Sequence, residues 1–403
     1  MMSLEQARAA VIDGVRPATA TEIVPLESAH GRFLAEGVRA AVDNPVFDNS
    51  AMDGYALRVA DLAAQRSVLP VSGESRCGDT PTTHSPRTAM RIFTGAPIPA
   101  GADTVVIQED IKLHDGNIAL PARVQAAANI RRRGEDFRAG DMLYQRGRRL
   151  SAFDLVLMAT AGVAEVVVYG RARALVIATG DELISPGKAL RPGQIYESNR
   201  LATVLQLRQL SVMADDGGTV ADDGDALRDV LEHARDYDFV ITSGGASVGD
   251  HDLVEQVFSE IGEINFWKVK IKPGKPIAFG RVGERTHFFA LPGNPVSSLV
   301  TFKLFVEPAI MAWHHAAPVF PELRATAANE FRRTAGRTEF LRAQLYTKNG
   351  VLVARTLSGQ GSHMTGTLRE TNGFIRVHAD STGFNRGDSV VVTPLTTGLF
   401  CAR

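Results

Sequence analysis

A chain of 403 residues with 44% hydrophobic and 22% charged residues has the composition of an ordinary globular protein of roughly two to four domains. Lys+Arg 44 against Asp+Glu 45 leaves a net charge of −1, which excludes a general attraction to nucleic acid or to an anionic membrane surface. The two cysteines, Cys77 and Cys401, form no CxxC, zinc framework or disulfide pattern, no run approaches about 18 apolar residues, and MMSLEQARAAVID lacks the basic start and apolar core of a secretory signal. A cytoplasmic protein in a reducing compartment, with no membrane span, is expected.

Ser3 to about Asp13 reads as a helix, with Ser3 as N-cap and Gln6 at the capping-box position. Leu26–Val42 reads as a second helical and extended segment. At Asp43 the chain changes character. NPVFDNSAMDGYAL is rich in turn formers and acids, and short strands then alternate with Gly/Pro turns to about Gly140, which predicts a mostly β insertion. Helical pattern resumes at Ser151–Gly162, with Ser151 as a cap.

From about Val166 strands alternate with helices for some 140 residues. Asn199–Leu210, Asp225–Asp236, Leu253–Ile261 and Val296–Met311 are helical, and the strands between them predict a parallel sheet covered on both faces. After a Pro-bearing break at Ala316–Pro321, TEFLRAQLYT, VLVARTL, GFIRVHA and DSVVVTPL predict an all-β C-terminal domain, a barrel or small sandwich.

Chemistry concentrates at three strand ends: Thr179-Gly180-Asp181-Glu182, Ser243-Gly244-Gly245 and Leu291-Pro292-Gly293-Asn294-Pro295. Each alone would be a tight turn; three in one sheet point to a shared pocket, because loops after parallel strands gather at one edge. The stretch DFVITSGGASVGDHD joins a buried strand to a Gly-rich loop that lets backbone N–H groups approach an anion, followed by Asp250 and Asp252. Asp181, Glu182, Asp222, Asp223, Asp250 and Asp252 are oxygen donors suited to a hard cation, or else solvated loop charges and helix caps; Asp223 or Asp225 could simply cap the helix that follows. Lys268, Lys270 and Lys272 alternate, which predicts one cationic face on a strand, for an oxyanion or for solvent. KPGKP is a rigid turn and not a P-loop, since Lys275 precedes Pro276 and no GxxxxGK[ST] occurs; no GxGxxG or GxSxG occurs either. Arg131-Arg132-Arg133-Gly134-Glu135-Asp136 suits either phosphate or an interdomain ionic hinge. His314-His315 lacks a third ligand and reads as structural or exposed.

Phe47-Asp48-Asn49-Ser50-Ala51-Met52-Asp53-Gly54-Tyr55-Ala56, RIFTGAPIPAGADTVVIQED, NIRRRGEDF, TGDEL, GQIYESN, SGGASVGDHD, KPGKPIAFG and LPGNPVS occur in this order over nearly the full length. Together they resemble the molybdopterin molybdenumtransferase family, to which the E domain of the scaffold gephyrin is related. The resemblance implies insertion of molybdate into adenylylated molybdopterin with Mg²⁺-dependent release of AMP, giving molybdenum cofactor. It implies a multidomain α/β plus β fold. A discontinuous domain I (1–45 and 137–170) carries an inserted β lid (46–136). A central parallel-sheet molybdopterin-binding domain (171–318) and a C-terminal β-barrel (319–403) follow. It also implies an elongated homodimer, and contact with other molybdenum-cofactor biosynthesis proteins.

Residue by residue, the resemblance makes Asp181, Glu182, Asp222 and Asp252 the acidic pocket for metal and phosphate. Ser243, Gly244, Gly245 and Ser247 become the anion-cradling loop, Lys268, Lys272 and Lys275 the basic side, and Pro292 and Pro295 the shapers of the neighbouring loop. Asp53, Thr94, Arg131 and Asp136 match the lid side, and Arg342 and Ser362 the positions near molybdate. Ala246, where valine is more usual, and Gly224, where proline often follows the paired acids, remove no polar group. Two other classes fit parts of the pattern: a non-catalytic scaffold, and an adenylylating enzyme built on the same α/β unit. The intact acids, lysines and SGG loop argue against the first, and the lid and C-terminal domain against the second.

Overall fold

Ser3 opens the first helix as its capping box dictates. Its hydroxyl accepts the Gln6 N–H at 3.1 Å and the Gln6 side chain accepts the Ser3 N–H at 2.9 Å, so two of the helix's unpaired donors are satisfied at once. Helix α1 (Leu4–Gly14) then buries Leu4, Ala7 and Val11 along one stripe. The computed structural model describes residues 1–62, 68–244 and 253–395. The chain forms two units: residues 1–22, 31–33 and 168–403, and residues 23–30 and 34–167.

The second unit is the β insertion with its flanks. Strands β1 (Gly54–Leu57), β2 (Val68–Ser75), β3 (Ala89–Ile92), β4 (Thr104–Ile107), β5 (Lys112–His114) and β6 (Asn117–Ala119) form one sheet in the order β4-β1-β3-β2-β6-β5. Gly54 is required there: a Cβ would stand 2.1 Å from the Val106 carbonyl oxygen. Helix α2 (Ala152–Thr160) is capped by Ser151. The helical reading of Leu26–Val42 is corrected: the segment holds only a 3-10 turn at Leu26–Ser28 and the two-residue strand Val38–Arg39. Gly31, at φ +77°, interrupts what its alanines suggested.

The first unit holds a six-stranded sheet. Its strands are β7 (Arg173–Thr179), β8 (Met213–Val220), β9 (Phe239–Ser243), β10 (Gly262–Trp267), β11 (Ala278–Val282) and β12 (Thr286–Leu291), in the order β8-β7-β9-β12-β11-β10. The predicted parallel sheet is therefore mixed. β8, β7, β9 and β12 run parallel, and β11 and β10 add antiparallel to one side, because the hairpin turn at Gly283 joins β11 directly to β12. The inner parallel strands β7, β9 and β12 are largely buried and mostly apolar, whereas the edge strand β8, MADDGGTV, is mostly exposed. Helices α3 (Asn199–Gln209), α4 (Gly224–His233) and α5 (Leu253–Ile261) connect them, and Phe258 of α5 stacks on Phe288 with centroids 4.1 Å apart. Helix α6 (Pro295–Trp313) contains a π turn at Phe302–Val306. By length and composition α6 alone, among the described residues, could cross a membrane, but it is mostly buried and serves as a core helix. His314 stacks on Phe33 and His315 on Tyr169, the structural role expected of the pair.

The C-terminal strands β13 (Leu323–Ala327), β14 (Thr338–Lys348), β15 (Val351–Thr356), β16 (Gly373–Val377) and β17 (Ser389–Pro394) close into a five-stranded barrel, because β14 pairs with both β15 and β16. Leu341, Ala343, Leu345, Ile375 and Val392 fill its interior. The predicted lysine strand is corrected as well. The chain turns at Lys268, which has φ +78°, and Ile271–Lys272 leaves the α/β sheet to pair with Thr338–Glu339 of β14. Lys268, Lys270 and Lys272 do not share one strand face, because the positive φ breaks the alternation.

Asp154 offers a stability test in the second unit. Burial by itself pushes its carboxyl up. The Ser151 hydroxyl and N–H, both at 2.7 Å, together with Arg148 and Tyr144, outweigh that and hold it down at about 2. A depressed carboxyl stabilises the fold above its unfolded pKa and loses that contribution as pH falls through the folded value. Asp154→Asn should cost about 2 kcal/mol at pH 7, and the difference should shrink as pH falls from about 4 toward 2, measured by chemical denaturation at each pH.

Candidate functional site

In the order β8-β7-β9 the connections leave β7 in opposite directions, so a crevice opens between the carboxyl ends of β7 and β9. A cavity of about 700 Å³ lies there. Thr179, Gly180, Glu182, Asp222, Ser243 and Gly244 line one side of it, and Pro276, Pro292, Gly293 and Pro295 another. The three strand ends singled out in the sequence thus do share one pocket.

Backbone geometry explains the glycines. Gly244 has φ +96°, and a Cβ on it would lie 2.4 Å from the Thr179 carbonyl oxygen, so no other residue lets the two strand ends come this close. A Cβ on Gly293 would stand 3.6 Å from the Gly244 Cα, and Asn199 Nδ2 donates to the Gly293 carbonyl at 2.7 Å, tying the third loop to the start of α3. At Gly180, φ +143°, a Cβ would meet Glu182 Oε2 at 2.6 Å; its absence leaves room for the carboxylate to fold back over the turn.

The acids divide by role. Asp223 caps α4, accepting from the N–H groups of Asp225 and Ala226 at 3.1 and 2.8 Å, which is the structural alternative weighed above. Asp222 is left beside Asp181 and Glu182, and its N–H donates to Asp181 Oδ1 at 3.3 Å. Although Asp222 is largely exposed, partial desolvation first, and the negative charges of Asp181 and Glu182 second, push its carboxyl above the usual range. Like charges held together in a crevice are what an incoming cation relieves. Among the described residues no three histidine, cysteine or acidic side chains stand together so as to hold a metal ion. Asp250, Asp252, Gly245 and Ser247 lie outside the described residues.

The basic residues are set around the barrel and the start of α6. Lys272 Nζ lies 2.9 Å from Glu339, which is buried and also faces Arg333 at 3.4 Å. The Lys275 carbonyl accepts from Val269 and Ile277 at 3.0 and 3.1 Å, and Gly274 sits so close to Thr301 that a Cβ would meet its Cγ2 at 2.5 Å. These contacts press the KPGKP turn onto α6. Lys268 is half-buried, its N–H bonded to the Ile277 carbonyl at 2.9 Å. Arg342 is fully buried in β14. Its Nη2 donates to the carbonyls of Gly359 and Gly361, while Nε and Nη1 have no partner among the described residues; burial lowers its pKa. The Ser362 carbonyl accepts the Val296 N–H at 3.2 Å, which sets that loop beside Pro295.

The lid-side residues form their own arrangement within the second unit. Asp53 accepts the Thr94 N–H at 2.7 Å, and its hydrogen bonds with Thr94 hold its carboxyl below the usual range. Arg131 and Asp136 line a cavity of about 500 Å³ with Asn44, Asn49 and Glu135, and Asn44 Nδ2 donates to Asp136 at 2.9 Å. The arginine run is divided: Arg132 pairs with Asp48 and Arg133 with Asp43, within the unit, whereas Arg131 makes no ion pair among the described residues.

Sequence reasoning assigned no role to Tyr196-Glu197-Ser198-Asn199, yet all four line the main cavity. The signal was present in GQIYESN, directly before a helix start.

Comparisons with known proteins bear on the family. Three family models match in order: the MoeA N-terminal region (domains I and II) over residues 2–162, a probable molybdopterin binding domain over 175–312, and the MoeA C-terminal region (domain IV) over 324–395. The chain is 38% identical to a molybdopterin molybdenumtransferase of Haemophilus influenzae, over 98% of both chains. It is 36% identical to molybdopterin molybdenumtransferase 2 of Mycobacterium tuberculosis, over 93% of this chain and 95% of the other. The crystal structure of a molybdopterin biosynthesis MoeA protein from Pyrococcus horikoshii superimposes with a TM-score of 0.83 at 29% identity, covering 98% of this chain and 100% of that one. Matching in sequence, in the order of its regions and in architecture, this chain belongs to the molybdopterin molybdenumtransferase family.

Proposed function

We propose that this enzyme inserts molybdenum from molybdate into adenylylated molybdopterin, with release of AMP and a requirement for Mg²⁺. One observation carries the reading: Glu182 and Asp222 stand in the same cavity as the Gly244 strand end, so acids for a cation and a backbone that admits an anion meet at the switch point. Among the described residues no three of these acids stand together to hold a metal ion, but Asp181, Glu182 and Asp222 are oxygen donors of the kind a hard divalent ion takes. Such an ion, keeping waters and substrate phosphate among its ligands, would need only one or two of them. When bound, such an ion neutralises phosphate charge.

The protein's own contribution is positioning. Cleavage of a phosphoanhydride needs aligned oxygens and a water in line, more than a covalent nucleophile. The Ser243–Gly244 strand end holds the phosphate, and Pro292 and Pro295 stiffen the facing loop. Molybdate, a dianion, is held from the barrel side by Lys272, Lys275, Arg342 and the Ser362 loop, with Lys268 adding positive charge. Asp53, Thr94, Arg131 and Asp136 complete the site from the lid, in a homodimer.

Glu182→Gln and Asp222→Asn should each lower molybdate-dependent AMP release by about 100-fold or more with the fold intact, measured on purified adenylylated substrate with and without Mg²⁺. Undiminished turnover in both would overturn the acidic pocket. Because the folded carboxyl of Asp222 is raised, its ionisation opposes folding as pH rises past the ordinary carboxylate range. Asp222→Asn should therefore raise the thermal midpoint near pH 7 and lose that advantage below about pH 4. Lys272→Ala should raise the molybdate concentration for half-maximal turnover about tenfold while leaving AMP affinity unchanged; an unaltered molybdate dependence removes Lys272 from the oxyanion site.

A further inference from the structure

The cavity at the switch point is larger than a phosphate and a metal ion fill. At about 700 Å³ it has the size of a site for a whole small molecule. Part of its lining is apolar. Leu183, Ile195 and Tyr196 reach it from the short parallel pairing of Leu183–Ile184 with Ile195–Tyr196. Ile195 is 54% exposed and Tyr196 48%, so neither is covered by the rest of the chain.

The neighbours of Tyr196 are already engaged. Glu197 is buried and spends its carboxylate on Arg200, whose N–H it accepts at 2.7 Å. Asn199 Nδ2 holds the Gly293 carbonyl. Tyr196 is tied down only at its tip, where the hydroxyl donates to the Lys188 carbonyl at 3.0 Å. Its ring is left open. Tyr55, Tyr144 and Tyr237 each carry an arginine over the ring, and Tyr169 stacks on His315. The Tyr196 ring meets neither another ring nor a guanidinium among the described residues.

An aromatic face anchored in this way has lost much of its rotational freedom before a ligand arrives, so stacking on it costs little further entropy. A planar heterocycle gains from such a face, and a phosphate gains nothing. The same cavity holds the Gly244 strand end, which admits an anion, and the carboxylates of Glu182 and Asp222. Its lining as a whole therefore suits a molecule in which a planar ring is joined to phosphate.

We infer that Tyr196 is a stacking platform for a planar heterocycle of the substrate, with Leu183 and Ile195 as its apolar surround. The inference rests on the proposed function, under which the substrate carries two such rings, a pterin and an adenine. The chemistry recognised is common to both, and the test separates them.

Calorimetric titration of the full chain with AMP, pterin-6-carboxylate and ribose 5-phosphate, a phosphate with no aromatic ring, provides that test. Tyr196→Leu keeps an apolar side chain without a π face. It should weaken at least one planar probe about tenfold or more and leave ribose 5-phosphate within about twofold. Tyr196→Phe keeps the ring and loses only the tie to Lys188, so it should bind that probe within about threefold of wild type. A loss confined to AMP assigns the platform to adenine, one confined to pterin-6-carboxylate assigns it to the pterin, and a loss of both assigns it to either ring. Planar probes that bind Tyr196→Leu within about twofold of wild type overturn the inference. So does an equal loss of ribose 5-phosphate, or a loss in Tyr196→Phe as large as in Tyr196→Leu. A wild type that binds AMP no tighter than ribose 5-phosphate and does not bind pterin-6-carboxylate overturns it whether or not the variants fold. Molybdate-dependent AMP release is followed in the same preparations. Its absence from a wild type whose ring binding depends on Tyr196 sinks the proposed function and leaves the platform standing.

Discussion

The approach of Gly244 to the Thr179 carbonyl sets the geometry on which the site depends. Parallel strands β7 and β9 are in register up to Ala178 and Ser243, and only a residue without a Cβ continues β9 past that carbonyl without pushing the loop away. The sheet order places this contact at the switch point, and the close packing of Gly293 and the Asn199 hydrogen bond draw the third strand end and α3 to the same place. Removing one side chain therefore brings together groups more than a hundred residues apart in the chain.

Two carboxyls show how the molecule separates stability from binding. Asp154 is buried and is met by a hydroxyl, an N–H and a guanidinium, so its charge is held firmly and supports the fold. Asp222 accepts a backbone hydrogen bond from Asp181 but faces the charges of Asp181 and Glu182, and partial desolvation and that repulsion outweigh the bond, so its charge opposes the fold. The difference lies in the donors around them.

The same contrast explains what could be read from the chain. Capping at Ser3 and Ser151, the helices at Asn199 and Leu253, and the barrel strands were legible because caps and periodicity are local signals. The convergence of TGDEL, SGG and LPGNP was legible because parallel topology forces loops to one edge. The lysine row was misread: strict alternation holds only while the backbone stays extended, and Lys268 leaves that region. The 26–42 segment failed for a similar reason, since Gly31 interrupts a pattern of alanines that gives no strong period. Tyr196 to Asn199 went unassigned because their place in the cavity wall depends on strand ends distant in the chain.

The barrel contributes by indexing cationic groups to one strand. Closure fixes β14 on both edges, so Glu339 and Arg342, three residues apart on it, are placed relative to each other. Glu339 draws in Lys272 through the short parallel pairing with Ile271–Lys272, and Arg342 clamps the Gly359–Gly361 carbonyls. The Ser362 carbonyl then meets the Val296 N–H beside Pro295, which lines the main cavity. Arg342, whose Nε and Nη1 have no partner among the described residues, is held in place by the strand and by the Gly359 and Gly361 carbonyls. Its desolvation is tolerable because the closed barrel, filled by Leu341 and Ile375, carries the packing that the guanidinium does not supply.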